Sequence, residues 1–170
     1  MNSSQRFARM GLVAQDTIDT PIGAMTALAT ERGLAGLWFE HEPGAALGLP
    51  VDPARPVLAA ARRWLAAYWA GHATTGIDIE LDLHGTPFQQ AVWRSLLNIG
   101  HGRTRSYGEI ALQVGSPSAV RAAGAAIGAN PVGVIVPCHR VIGSNGSLTG
   151  YAGGLPRKEA LLRHEGILLT

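Results

Sequence analysis

Cys138 is the only cysteine in this 170-residue chain, and it stands in Pro137-Cys138-His139-Arg140. One thiol cannot close an internal disulfide, and by itself it cannot build a thiolate metal site. Two roles remain: a nucleophile, or the small buried core residue that a free cysteine commonly is. The neighbours favour the nucleophile. His139 can act as a base or an electrostatic partner, and either role favours the reactive thiolate. Arg140 adds positive charge, and Pro137 fixes the backbone before the cysteine. The apolar run Val134-Ile135-Val136 leads into this corner. It predicts a short strand that would hold the thiol at the floor of a pocket.

The elements that must position this corner can be read from period and punctuation. Residues 1–15 show no clear period and predict a loosely held start. From Thr17 the pattern is strand-like, with a turn at Pro21-Ile22-Gly23, an apolar run from Ala24 to Thr30, and Gly33 before Leu34-Ala35-Gly36-Leu37-Trp38-Phe39. That is a hairpin or meander. Residues 41–56 are rich in proline and glycine and predict a loop. Val57, Leu58, Ala61, Trp64, Leu65, Tyr68 and Trp69 recur at helical spacing, and Gly71 ends the helix. The aromatic stripe reads as core, and Arg62 and Arg63 as solvent-facing. Ile77, Ile79, Leu81 and Leu83 alternate with Asp78, Glu80 and Asp82, which predicts a half-buried strand rather than an acidic metal site.

A composition shift at His84-Gly85 places a domain boundary there, giving domains 1–84 and 85–170. Thr86-Pro87-Phe88-Gln89 opens a helix with a capping box, and Phe88, Val92, Leu96 and Ile99 line one face of it. A glycine-containing linker from Gly100 to Arg105 carries Arg103 and Arg105. A second capping box, Ser106 with Glu109, starts a helix at Tyr107 that stops at Gly115. A third helix begins at Ser116-Pro117 or Ser118 and runs to about Gly128. The spacing is that of a helix-turn-helix. Its second helix carries one long polar side chain, Arg121, among Ala122, Gly124, Ala125 and other small residues. A major-groove reading helix needs several base-reading side chains, and this one lacks them. Small residues fit either close approach to a minor groove or tight packing in a core, and composition alone leaves both open.

Hydrophobic residues make up 46% of the chain, ample for a core, and no run approaches a membrane span of about 20 apolar residues. No secretory leader is read at the N-terminus. One unpaired cysteine fits a reducing, intracellular setting. The net charge of +2 is unevenly placed. Residues 1–99 carry seven basic and nine acidic side chains, whereas residues 100–170 carry seven basic and three acidic. The basic part holds the cysteine, which suits a polyanion such as DNA and equally fits an ordinary solvated surface.

Asn130-Pro131, the run from Val134 to Ile142, Gly150-Tyr151-Ala152-Gly153-Gly154 with Arg157-Lys158, and His164-Glu165-Gly166 closely resemble the O6-alkylguanine-DNA alkyltransferases. These are also called methylated-DNA–protein-cysteine methyltransferases. The resemblance covers about residues 80–166 and fits the front half more loosely. It implies an α/β protein with a small ribonuclease-H-like N-terminal sheet domain and a winged-helix-like C-terminal domain that binds DNA and accepts the alkyl group. The implied reaction is stoichiometric repair of O6-alkylguanine, with O4-alkylthymine as the second substrate the resemblance suggests. A thiolate displaces the base from the alkyl carbon and keeps the group as a thioether, which is not readily hydrolysed, so each molecule acts once.

The resemblance assigns Cys138 as acceptor, His139 as proton acceptor through a bound water, and Glu165 as the partner that orients and balances the imidazole. Asn130 becomes a hydrogen-bonding hinge before the cysteine loop, a role compatible with a plain helix cap. Tyr107 would donate to the guanine ring and crowd the adjacent phosphate. Lys158, the only lysine, would support the polar site. The Val141 backbone would read the exocyclic amine, with Tyr151, Ala152 and Gly153 completing the base pocket. Ala152 departs from the serine found in some members and leaves only its backbone N–H. Arg121 would fill the space of the extruded base. Ala122, Gly124 and Ala125 would allow groove approach, and Arg103 and Arg105 would join the DNA contacts. The expected partner is double-stranded DNA carrying alkylated bases, met in the minor groove by a monomer. No cofactor, no membrane and no metal are expected. The front-domain zinc site of some members needs cysteines absent here, and His41, His72, His84 and His101 lack ligand spacing. The expected compartment is the cytoplasm of a bacterium or the nucleus of a eukaryote. Two rival readings are a lesion-binding protein that does not react, against which Cys138 argues, and a cysteine hydrolase, which would leave Arg121 and Tyr107 without roles.

Overall fold

The structure is a computed structural model that describes residues 7–39, 48–72 and 78–167. It is mixed α/β and divides into two compact units, Met1–His84 and Gly85–Thr170.

The first unit is built on an antiparallel meander, β1 (Leu12–Thr20), β2 (Gly23–Thr30) and β3 (Leu34–Phe39), in that order. Thr20 pairs with Gly23 across a two-residue connection, so Pro21-Ile22 forms the turn. β1 starts five residues earlier than its pattern predicts. Its inward residues are Ala14, Asp16 and Ile18, and a small residue plus a charged one hide the alternation. Asp16 is tolerated inside because Arg62 Nη2 donates to its Oδ2 at 2.6 Å. Arg62 therefore serves the sheet as well as the solvent. The loosely held start is also corrected from residue 7 onward. Phe7 and Met10 are buried with Leu28, and the Phe7 ring meets Trp38 edge-on at 5.4 Å. Apolar side chains at the chain end gain more from this burial than they lose in freedom.

α1 (Pro56–Trp69) buries Leu58, Ala61, Leu65 and Tyr68 at helical spacing. Trp64 stacks on Tyr68 and Trp69 meets it edge-on, so the aromatic stripe is core. The expected strand at 77–83 is not a full strand. Ile77 lies outside the described residues, as do His41 and the rest of 41–47 in the expected 41–56 loop. What remains is an extended segment with one parallel bridge, Leu34 to Leu81. Leu34 N–H donates to Glu80 O at 2.8 Å, and Asp82 N–H donates to Leu34 O at 2.9 Å. Asp82 then turns to Thr30 and His84, which ends the pairing.

The second unit is mostly helical: α2 (Pro87–Leu96), α3 (Tyr107–Gln113), α4 (Val120–Gly128) and α5 (Leu155–His164). Both expected capping boxes are present, Thr86 with Gln89 and Ser106 with Glu109. Two-residue strands β4 (Arg105–Ser106) and β5 (Val141–Ile142) pair in parallel. They tie the start of α3 to the chain just after the cysteine. Trp93 is the largest side chain fully buried, and its indole N–H donates to the Ala126 carbonyl at 2.8 Å. That bond fixes α4 against α2. α4 starts at Val120, later than the sequence predicts. Pro117 instead sits in a turn closed by Ala119 N–H on Ser116 O, which suits the fixed φ of proline.

Candidate active site

The approach to Cys138 is a set of turns, not the short strand its apolar residues predict. Val134 has a left-handed φ of 68°, rare for a β-branched residue. Ile135 N–H donates to Gly133 O and Val136 N–H to Val132 O. Asn130 closes the segment from inside. Its Oδ1 accepts from Val132 N–H at 3.0 Å, and its Nδ2 donates to Val136 O at 2.8 Å. A buried backbone that folds on one side chain has no need of a strand partner. Residues 134–136 are all buried, so their apolar character serves packing. Asn130 lies two residues beyond α4, and the same amide ties that helix end to the cysteine turn.

Cys138 opens a short 3-10 turn over Cys138–Arg140. Burial pushes its thiol pKa up, while an Asn130 hydrogen bond and the Lys158 charge pull against that rise. His139 is fully buried, and its Nε2 lies 2.5 Å from Glu165 Oε2. With Nε2–H facing a carboxylate, Nδ1 is the free acceptor of a neutral ring. Nδ1 is buried and has no hydrogen-bond partner among the described residues. Burial lowers the His139 pKa, Glu165 opposes this, and Arg140 and Lys158 reinforce it; the net direction is down.

Glu165 sits at the C-cap of α5 and is buried. Burial alone would raise its carboxyl pKa, but His139, Arg140 and the Gly102 N–H together hold it well below the usual carboxylate range. Arg140 Nε donates to Glu165 Oε1 at 2.8 Å and its Nη1 to the Ile99 carbonyl at 2.6 Å. Gly102 N–H reaches the same Oε1 at 3.0 Å.

Lys158 is 1% exposed, and its ammonium donates to the carbonyls of Val141, Thr149 and Gly150. Burial pulls its pKa down. It also lies 5.8 Å from the Tyr107 ring centroid. The Tyr107 hydroxyl donates to Thr149 O at 2.7 Å. One lysine thus holds the 149–150 stretch across the mouth of the site.

A cavity of about 310 Å³ opens over the thiol. Cys138 and Tyr107 line it with Gly124, Ile127 and Gly128 of α4, and Gly150, Tyr151 and Ala152 form the remaining wall. The volume is at the small end of the roughly 300–1,000 Å³ range of ligand pockets, the scale of one base rather than a duplex. Val141 and Gly153 lie beside the wall and not on it: the Val141 carbonyl is taken by Lys158, and the Gly153 carbonyl accepts from Arg157. Arg121, Ala122 and Ala125 share the exposed face of α4, while Arg103 is exposed after the turn that follows α2 and Arg105 is exposed in β4. Sequence reading missed Ile127 and Gly128, which i+3 and i+4 spacing from Gly124 would have found, and Gly102 and Thr149, for which the sequence carries no signal.

Two outcomes follow from this geometry. Asn130→Ala leaves Val132 N–H buried without a partner, at about 1–3 kcal/mol, and leaves the Val136 carbonyl with the Cys138 N–H alone. Urea unfolding should show that loss, and the pH midpoint of Cys138 alkylation by iodoacetamide should rise, because a donor to sulfur is gone. If neither moves, Asn130 does not close the turn. The second outcome concerns acid. The folded His139 pKa lies below its unfolded value of about 6.5, so the unfolded chain binds the extra proton first. Stability is full above that value and falls as pH drops through it, by up to about 1.4 kcal/mol per pH unit. Glu165, whose folded pKa is depressed, adds a loss of the same sign below about pH 4.3. His139→Asn should flatten unfolding free energy between pH 6.5 and 5, and parallel slopes for both proteins would contradict this.

Comparison with known proteins places these features in a family. Residues 87–167 match the model of the 6-O-methylguanine DNA methyltransferase DNA-binding domain. The methylated-DNA–protein-cysteine methyltransferase of Mycobacterium tuberculosis is 51% identical over 152 residues, covering 88% of this chain and 90% of that protein. That of Salmonella typhimurium is 57% identical over 105 residues, 62% of this chain and 61% of the relative. The crystal structure of M. tuberculosis OGT in complex with DNA superimposes with a TM-score of 0.82 at 50% identity, covering 90% of this chain and 92% of that one. An O6-methylguanine DNA methyltransferase from Methanococcus jannaschii gives 0.67 at 28% identity, covering 91% and 95%. With half of its residues shared across nearly the full length of both chains, this protein belongs to the methylated-DNA–protein-cysteine methyltransferase family.

Proposed function

We propose that this protein repairs DNA by moving the alkyl group of O6-alkylguanine onto Cys138, once per molecule. The observation that carries the reading is the placement of the only thiol. It lines a base-sized cavity beside a buried His139–Glu165 pair whose Nδ1 is free to accept. In the transfer a carbon–sulfur bond forms and the bond from that carbon to O6 breaks. The thiol proton passes to His139 Nδ1 through a bridging water, and the departing guanine takes up a proton in its place. Glu165 holds the ring and balances the charge that His139 acquires. Lys158 lies near enough to favour the thiolate. O4-alkylthymine fits the same chemistry as a second substrate.

In this reading residues 1–84 form a ribonuclease-H-like domain, and residues 85–170 form the winged-helix-like domain that binds DNA and accepts the alkyl group. The protein acts as a monomer. The exposed face of α4, with Ala122 and Ala125 beside Arg121 and Gly124 turned toward the cavity, enters the minor groove, where small side chains permit close approach. Arg103 and Arg105 contact phosphates. A base must leave the stack to reach the thiol, at about a few kcal/mol, and Arg121 fills the space it leaves. Tyr107 turns its hydroxyl hydrogen from the Thr149 carbonyl to the extruded ring, Tyr151 and Ala152 of the cavity wall flank that ring, and the Val141 carbonyl, shared with Lys158, and Gly153 back the wall from beside it. Among the described residues no helix is long and apolar enough to cross a membrane.

Mixing the protein with duplex DNA carrying one O6-methylguanine should add the mass of one methylene to Cys138, one equivalent per molecule, by intact mass. Release of product beyond one equivalent would replace the transferase reading with a hydrolase. Cys138→Ser should abolish transfer and retain DNA binding.

Arg121 separates DNA handling from chemistry. Arg121→Ala should slow repair of duplex O6-methylguanine by about tenfold or more, leaving part of the extrusion cost uncompensated. Reaction with free O6-benzylguanine, which needs no extrusion, should change little. Equal slowing of both rates would assign Arg121 to the fold.

A further inference from the structure

Arg140 follows the reactive pair in sequence, yet its side chain does not reach for the cavity. It turns inward and makes two buried contacts, to Glu165 Oε1 at 2.8 Å and to the Ile99 carbonyl at 2.6 Å. The Gly102 N–H meets the same Oε1, presented by a left-handed glycine with φ 74°. Glu165 is therefore gripped through Oε1 by groups that do no chemistry, leaving Oε2 aimed at His139. Charge arithmetic gives the arrangement a second consequence. A buried carboxylate beside a buried imidazole, with nothing else near, draws a proton onto the ring. A guanidinium on the other oxygen cancels the carboxylate and removes that pull.

We propose that Arg140 is a positioning residue for alkyl transfer: it fixes Glu165 through Oε1 and neutralises it, so that His139 rests as the unprotonated acceptor. The inference rests on the transferase reading for its effect on rate, and on geometry alone for its effect on the ring. The charged groups facing His139 are Glu165 and Lys158 from α5, Arg140 from its own turn and Cys138 before it. Lys158 is occupied by three carbonyls and cannot replace Arg140 at Oε1. Only arginine offers separate N–H groups in a rigid plane for both the carboxylate and the Ile99 carbonyl. A ring already protonated could not take the thiol proton, so the resting state of His139 sets the pH below which transfer fails.

The test compares the full-length wild type with Arg140→Gln and Arg140→Lys. Two readouts are followed on each folded protein: the protonation midpoint of the His139 ring by NMR, and the single-turnover rate with free O6-benzylguanine from pH 5.5 to 9. In Arg140→Gln the ring midpoint should rise by at least about one unit. The acid limb of the rate should move up with it. In Arg140→Lys the charge is kept, so the midpoint should stay near the wild-type value. One ammonium cannot hold both acceptors, and the plateau rate should fall about fivefold or more. A ring midpoint unchanged in Arg140→Gln overturns the proposal, whatever happens to the rate. If that variant does not fold, a wild-type plateau in Arg140→Lys overturns it. A wild type that transfers nothing would refute the transferase reading and still leave the ring midpoints to decide the role of Arg140.

Discussion

A carboxylate removed from water must be met by donors, and the second unit is arranged to meet one. Glu165 is buried where α5 ends, and His139, Arg140 and the Gly102 amide converge on it from separate segments. Each of those segments is irregular: a 3-10 turn, and the turn that follows α2. Their only backbone ladder is the two-residue β4–β5 pairing where each of them ends. Loss of a partner from a buried charge pair costs about 3–5 kcal/mol, large against the stability of a small domain. The carboxylate thus fixes the positions of chain segments that secondary structure leaves free. The same interaction that holds the turns holds the imidazole, so the fold and the chemistry depend on one group.

Asn130 performs a similar service with a neutral side chain. It satisfies a donor and an acceptor of the loop it encloses and donates to the sulfur beyond it. The thiol pKa is raised by burial, so a resting thiolate is not the default of this site. The pull of Asn130 and Lys158 is partial, and a neutral His139 is placed to complete the deprotonation. Lys158 spends its three donors on the carbonyls of Val141, Thr149 and Gly150, of which Gly150 lines the cavity. Its charge is therefore fixed in place near the sulfur without occupying the cavity.

Much of this was legible in the residues. Both capping boxes, the break between units at His84-Gly85, the meander and the aromatic face of α1 follow from local rules that depend on neighbours in sequence. The motif around Cys138 identified the family because its residue types are specific. Local rules failed where a distant group took over a local task. β1 hides its inward face because Arg62, 46 residues on, neutralises Asp16. Residues 134–136 look like a strand because they are apolar and β-branched, but Asn130 supplies the partners a neighbouring strand would have given. The segment after residue 77 alternates perfectly, yet it meets β3 through one bridge before Asp82 is drawn to Thr30 and His84.

By itself the sequence determined which atoms can react: one thiol, a histidine beside it, one lysine, and an arginine alone on a helix of small residues. Only the tertiary structure decided how they face each other. It turned Arg140 away from the cavity and onto Glu165, left His139 Nδ1 as the unengaged nitrogen, and gave the Gly124 side of α4 to the cavity wall. The reason is that a side chain's type fixes what it can donate or accept, whereas its partner is set by which segments packing brings together. Glu165 lies 26 residues from His139 and 63 from Gly102, separations over which no local rule of the chain operates.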